Sequence, residues 1–122
     1  MSQLEDYVSQ LLRIDGAVGA AIVDCESGMA LAKGGDPGFD LEVAAAGNSN
    51  VVRAKMNTME TLGISGNIED ILISLDKQYH LINILDGRGT NGLFIYLVLN
   101  RATANLALAR HKLRAVAAET RI

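Results

Sequence analysis

Tryptophan is absent and aromatic residues make up only 4% of the 122-residue chain. That leaves little material for the base-stacking platform on which single-stranded nucleic-acid binders rely. Cys25 is the only cysteine, which excludes an intrachain disulfide and a thiolate metal cage within one chain and fits a reducing, cytoplasmic setting. Long hydrophobic runs are also missing: the longest, Ala17 to Val23 and Leu93 to Leu99, are strand-sized and well short of the ~18 residues of a membrane span, so no membrane insertion is expected. Nor does one sign of charge dominate. Eleven Lys and Arg against fourteen Asp and Glu give a net charge of -3, with no general drive toward nucleic acid or an anionic membrane. The stretch from Met1 to Arg13 carries Glu5 and Asp6 inside an amphipathic pattern and does not read as a secretory signal. What remains, 49% hydrophobic and 20% charged, is the composition of one folded domain, 1–122, with a core of Ala, Ile, Leu and Val.

Periodicity divides this domain into eight elements. Leu4, Tyr7, Val8, Leu11 and Leu12 recur at helical spacing. Ala17 to Val23 is small and β-branched on both alternations, as in a strand covered on both faces. Asp24 to Gly28 has turn chemistry, Met29 to Lys33 returns as a second strand, and Gly34 to Gly38 breaks the chain. Asp36 followed by Pro37 reads as the entry to a long helix, with Asp40 as the competing cap, and Gly63 as its stop. At 100° per residue, Leu41, Ala44, Ala45, Asn48, Val51, Val52, Lys55, Met56, Met59 and Leu62 fall on one arc, opposite Glu42, Ser49, Asn50, Arg53, Asn57 and Glu60. Asn48 and Lys55 interrupt the apolar arc. Ile68 to Leu75, Tyr79 to Leu85 and Leu93 to Leu99 read as a meander, the last strand apolar on both faces and therefore interior. Asn100 is the expected cap of a final helix that buries Leu106, Ala109, Leu113 and Val116 or Ala117. The result is an α/β sandwich, a five-stranded, mostly antiparallel sheet between helices in the order α-β-β-α-β-β-β-α.

Gly87-Arg88-Gly89-Thr90-Asn91-Gly92 is a literal G-x-G-x-x-G, yet it leads into a strand where a dinucleotide site needs a helix N-terminus, so it reads as a hairpin loop. His80, His111 and Cys25 form no spaced motif, and the carboxylates are scattered. No cofactor, metal or catalytic site is expected. Arg101, Arg110, Lys112, Arg114 and Arg121 concentrate cations near the end of the chain; a solvated helix face accounts for most of this pattern, an acidic partner being the alternative. The more informative segment is Ile68 to Leu75, apolar, free of Pro, and the first strand of the meander, hence an edge that must be covered or paired. Pairing with its own copy across a two-fold axis is one solution.

The element order, the Asp36-Pro37 step and the ending Asn105-Leu106-Ala107-Leu108-Ala109-Arg110-His111-Lys112-Leu113-Arg114 together resemble the roadblock / dynein light chain family, including its bacterial members of the gliding-regulator type. Gly38 and Asn48 depart from the resemblance in favouring helix less than it calls for. The resemblance implies a roadblock or profilin-like fold and a non-catalytic, cytoplasmic bacterial homodimer that regulates or scaffolds a small Ras-like GTPase. It implies that third strands pair and second helices lie side by side, making Ile71, Ile73, Asn48, Val51 and Lys55 the dimer interface. Asn50, Arg53 and Asn57 then face the GTPase, with Arg53 also a candidate for an arginine acting in trans. The rival readings are a small-ligand sensor with an internal cavity of convergent polar groups, a structural adaptor of the dynein-light-chain kind, and an enzyme with dispersed catalytic residues.

Overall fold

Residues 3–121 are described in a computed structural model. Eight elements follow the expected order: α1 (Gln3–Leu12), β1 (Ala17–Asp24), β2 (Ala30–Gly35), α2 (Leu41–Leu62), β3 (Asp70–Ser74), β4 (Gln78–Ile84), β5 (Leu93–Asn100) and α3 (Leu106–Glu119). The strands form one antiparallel sheet in the order β2-β1-β5-β4-β3. β5 lies in the middle, and its alternation explains both layers. Leu93, Ile95, Leu97 and Leu99 join Leu11 of α1 and Leu113 of α3 on one face. Phe94, Tyr96 and Val98 join Leu41, Ala45 and Val52 of α2 on the other. Each fully buried aliphatic or aromatic side chain there contributes about 1.5–3 kcal/mol of hydrophobic stabilisation before ordering costs.

Three local expectations give way to the structure. Asp36 and Pro37 do not start α2: the Asp36 carboxylate closes a turn onto the Gly38 amide, and Gly38 adopts a positive φ that a helix cannot continue through. Asp40 is the cap, accepting from Glu42 N at 2.8 Å and Val43 N at 3.4 Å. Asn100 does not cap α3, because β5 runs through it and its side chain closes the following turn onto Ala102 N; Asn105 caps instead, accepting from Leu108 N. β2 also continues through Gly34 and Gly35 where a break was expected. A Cβ at Gly35, at φ 87°, would lie 2.4 Å from the Val18 carbonyl oxygen, so this strand end needs glycine.

The facing of α2 is the larger correction. Its buried stripe is Leu41, Ala45, Ser49 and Val52, so Ser49, expected on the polar side, is fully buried and returns its hydroxyl to Ala45 O. Lys55, Met56 and Leu62, on the expected apolar arc, are exposed. From Arg53 to Leu62 every residue is exposed except the half-buried Met59. The stop at Gly63 is as expected, in the left-handed conformation.

Because Asp40 and Asp36 compete for the same role, substitution separates them. Asp40→Ala should destabilise the chain by about 1 kcal/mol in urea unfolding followed by circular dichroism, the usual size of an N-cap loss, and Asp36→Ala by less than about half of that.

Candidate protein-interaction site

Two strands border the sheet, and their edges differ. β2 is blunted: it ends in two glycines, carries Lys33 paired to Glu42 at 3.1 Å, and its pairing with β1 is broken by a bulge at Ile22/Val23. β3 pairs with β4 in unbroken register from Asp70 to Ser74, and its centre is Ile71, Leu72 and Ile73. Its outer side is a flat aliphatic edge, the kind that invites another strand.

α2 packs toward the β1–β2 end of the sheet, and one of its sides is polar and exposed. Asn48, Val51 and Lys55 follow at i, i+3 and i+7, and so share one side of the helix. On the sheet beneath, Tyr96 stands opposite Ile82, and Ile82 opposite Ile71. Ile71 and Ile73 are half-buried, Val51 is 39% exposed and Met56 47%. Asn48, Val51 and Lys55 thus share one side of α2, and Ile71 and Ile73 lie on the border strand β3.

Asn50, Arg53 and Asn57 are exposed on α2. Arg53 is not a free guanidinium. It donates to Glu26 O at 3.0 Å and to the Asn50 side-chain oxygen, strapping α2 to the β1–β2 turn. Four of the five cations near the chain end are likewise engaged, while Lys112 is exposed on α3. Asp70 accepts from Arg110 at 2.8 Å and lies 3.5 Å from Arg114; Arg101 donates to Leu75 O and stacks over Tyr79; Arg121 donates to Ala118 O and Thr120 O. A structural face accounts for them without an acidic partner.

Cys25, His80 and His111 are not brought together. His111 is exposed on α3, His80 lies on β4, and the Cys25 thiol points to Ser49 O at 3.9 Å. Burial pushes the Cys25 pKa up, against a smaller lowering by Arg53, the wrong direction for a nucleophile. Among the described residues no group of three metal-ligating side chains forms. The Gly87–Gly92 stretch is the β4–β5 hairpin loop, closed by Leu85 N to Leu93 O. A cleft of about 740 Å³ opens at the end of the sheet, bordered by Asn67, Glu69, Asn83, Asp86 and Arg114 and floored by Val52, Leu93 and Phe94 of the two core clusters.

A polar chain beneath α2 was not anticipated. The Tyr96 hydroxyl meets His80 Nδ1 at 2.9 Å; His80 Nε2 meets Gln78 Oε1 at 2.9 Å; Gln78 Nε2 donates to Pro37 O at 3.1 Å. Burial pushes the Tyr96 pKa up to about 12 and lowers that of His80. One sequence signal existed: a tyrosine in a strand with two apolar faces must find a partner for its hydroxyl. Its identity depends on strand register. Tyr96→Phe should cost about 1–3 kcal/mol in urea unfolding, because it leaves His80 Nδ1 without its partner.

No family model matches the sequence, and no curated protein matches it either. Solved structures do. A roadblock/LC7 domain from Streptomyces avermitilis superposes with a TM-score of 0.80 at 16% identity, covering 97% of this chain and 94% of that one. MglB from Myxococcus xanthus gives a TM-score of 0.83 at 15% identity, covering 98% and 92%. An MglB in a tetrameric arrangement gives 0.77 at 15% identity, covering 98% and 88%. At such identities the likeness establishes architecture, and it is the architecture that the ordered elements of the sequence resemble: this chain has the roadblock/LC7 fold.

Proposed function

We propose that the chain is a non-catalytic regulator or scaffold of a small Ras-like GTPase, acting as a homodimer in the bacterial cytoplasm. The observation that carries this reading is the contrast between the two sheet edges: β2 is blunted, while β3 presents Ile71–Ile73 on a flat, open edge. Across a two-fold axis β3 meets its own copy, extending the sheet, and Asn48, Val51 and Lys55 meet the second α2. Lys55 belongs there more comfortably than in a core, where an unpaired charge is costly. The two helices then form a bench on which Asn50, Arg53 and Asn57 are the exposed polar positions. The resemblance to the roadblock family and the MglB neighbours supports a GTPase as the partner. Regulation requires different affinities for the two nucleotide states, since equal affinity shifts no equilibrium. The strap to Glu26 favours Arg53 as a residue that shapes the bench over one that reaches into a partner's active site.

Light scattering should give twice the chain's mass, and Ile73→Glu should give the monomer mass with an unchanged circular dichroism spectrum. A wild-type monomer mass at working concentration overturns the dimer. For the partner, immobilised Ras-like GTPases of the same bacterium, loaded with GDP or a GTP analogue, should retain the chain in one nucleotide state. Asn50→Ala combined with Asn57→Ala should weaken that retention about tenfold, a loss of ~1.4 kcal/mol. Binding that is indifferent to nucleotide points to the structural adaptor instead.

A further inference from the structure

The backbone of β3 divides its hydrogen-bonding groups between two sides. Ile84 N donates to Glu69 O at 3.0 Å and Leu75 N to Gln78 O at 2.8 Å, at the two ends of the unbroken β3–β4 register. Hydrogen-bonded and non-hydrogen-bonded pairs alternate along an antiparallel ladder, so Glu69, Ile71, Ile73 and Leu75 are the residues bonded to β4. Asp70, Leu72 and Ser74 therefore turn their N–H and C=O groups to the open side of the sheet. Their side chains leave on the α3 face, where Leu72 packs on the core and Asp70 meets Arg110 and Arg114. Ile71 packs on the α2 face, and Ile73 shares that face by alternation.

We propose that a second copy pairs with this edge in one register, the one with Leu72 on the two-fold axis. This register rests on the dimer reading and fixes where the two chains stop sliding. An axis normal to the sheet keeps the two α2 faces together, so each residue stands opposite one that faces the same way. The axis then passes through a residue and never between two, and Asp70, Leu72 and Ser74 meet as hydrogen-bonded pairs. Ile71, Leu72 and Ile73 are the candidates for the axis.

Charge and overlap choose among them. With the axis at Ile73, Asp70 comes opposite Asp76 of the second copy, like charges across a strand pair. With the axis at Ile71, Glu69 comes opposite Ile73 of the second copy, which sets a carboxylate into an aliphatic stripe. Either choice also pairs only part of the strand, Leu72 to Ser74 in the first case and Asp70 to Leu72 in the second. With the axis at Leu72, the whole of Asp70–Ser74 pairs. Ile71 then stands opposite Ile73 on the α2 face, twice over by symmetry, and Asp70 stands opposite Ser74 on the α3 face. Glu69 falls opposite the exposed Leu75, beyond the strand ends. The Asp70–Ser74 pair is complementary. The Asp70 carboxylate, 16% exposed and held by Arg110 at 2.8 Å, can only accept. The Ser74 side chain is exposed, and its hydroxyl has no hydrogen-bond partner among the described residues.

Disulfide trapping in a Cys25→Ser background, with diamide as oxidant, reads the register. Facing residues of an antiparallel pair have Cα atoms about 4.5–5.5 Å apart, within disulfide range, while diagonal neighbours two positions along lie about 7–8 Å apart, beyond it. Leu72→Cys should cross-link to itself. Ile71→Cys and Ile73→Cys should each fail to cross-link alone and should cross-link when mixed. Self-linking of either one ahead of Leu72→Cys overturns the register. The unsubstituted chain gives a second reading by NMR. In dimers mixed from carbon-13-labelled and unlabelled chains, the Ile71 Hα should show an interchain Overhauser contact to the Ile73 Hα, since the non-hydrogen-bonded pair brings backbones closest. A contact from Ile71 to Ile71, or from Ile73 to Ile73, overturns the register. Light scattering separates the failures. A dimer mass with displaced links and contacts, or with none, overturns the register and leaves the dimer standing, while a monomer mass sinks the dimer reading and the register with it.

Discussion

A sheet whose middle strand is apolar on both faces must be covered twice, and the two covers of this sheet are unequal. Five strands about 4.8 Å apart span roughly 20 Å, while one helix with its side chains is about 10 Å across. α1 and α3 together are wide enough for the face of Leu93, Ile95, Leu97 and Leu99. The opposite face has α2 alone, and α2 sits toward β1 and β2. The shortfall appears on the far side as half-buried Ile71, Ile73 and Ile84. The interaction border is thus the remainder of a covering problem, located by where the single helix was anchored.

That anchoring explains why the sequence was only partly legible. Strands came through well because alternation is a local signal, and β5 declared its central position by having no polar face. Gly63 was equally clear, since the left-handed end of a helix has few other occupants. The caps failed where two residues of the same chemistry stood a few positions apart. Asp36 and Asp40 differ in role because of Gly38, and Asn100 and Asn105 because β5 extends one residue further than its apolar run. The rotation of α2 was misjudged because a periodicity averaged over 22 residues gives equal weight to a half that packs and a half that does not. The apolar edge strand was reachable from its composition; the Tyr96–His80–Gln78 chain was not, because it is assembled by register and by a loop carbonyl.

Polar groups on α2 serve two masters. Arg53 lies on the proposed GTPase-facing side of α2 and also straps the helix to the hairpin of Glu26; Asn50 lies there too and accepts from Arg53. A partner that recruits either residue must compete with an existing internal bond, which weakens the contact but ties it to the position of α2. Recognition and the seating of the helix are therefore coupled through the same side chains.

The outer half of α2 carries a further implication. A helix segment with ten residues and no buried side chain of its own is held by its continuity with the anchored half and by the Gly63 stop, and isolated segments of that length are marginal in water. In a dilute solution this end frays first and exchanges its amides early. In the proposed dimer its order would follow how many copies are present, so that the abundance of the protein would be recorded in the stiffness of one helix.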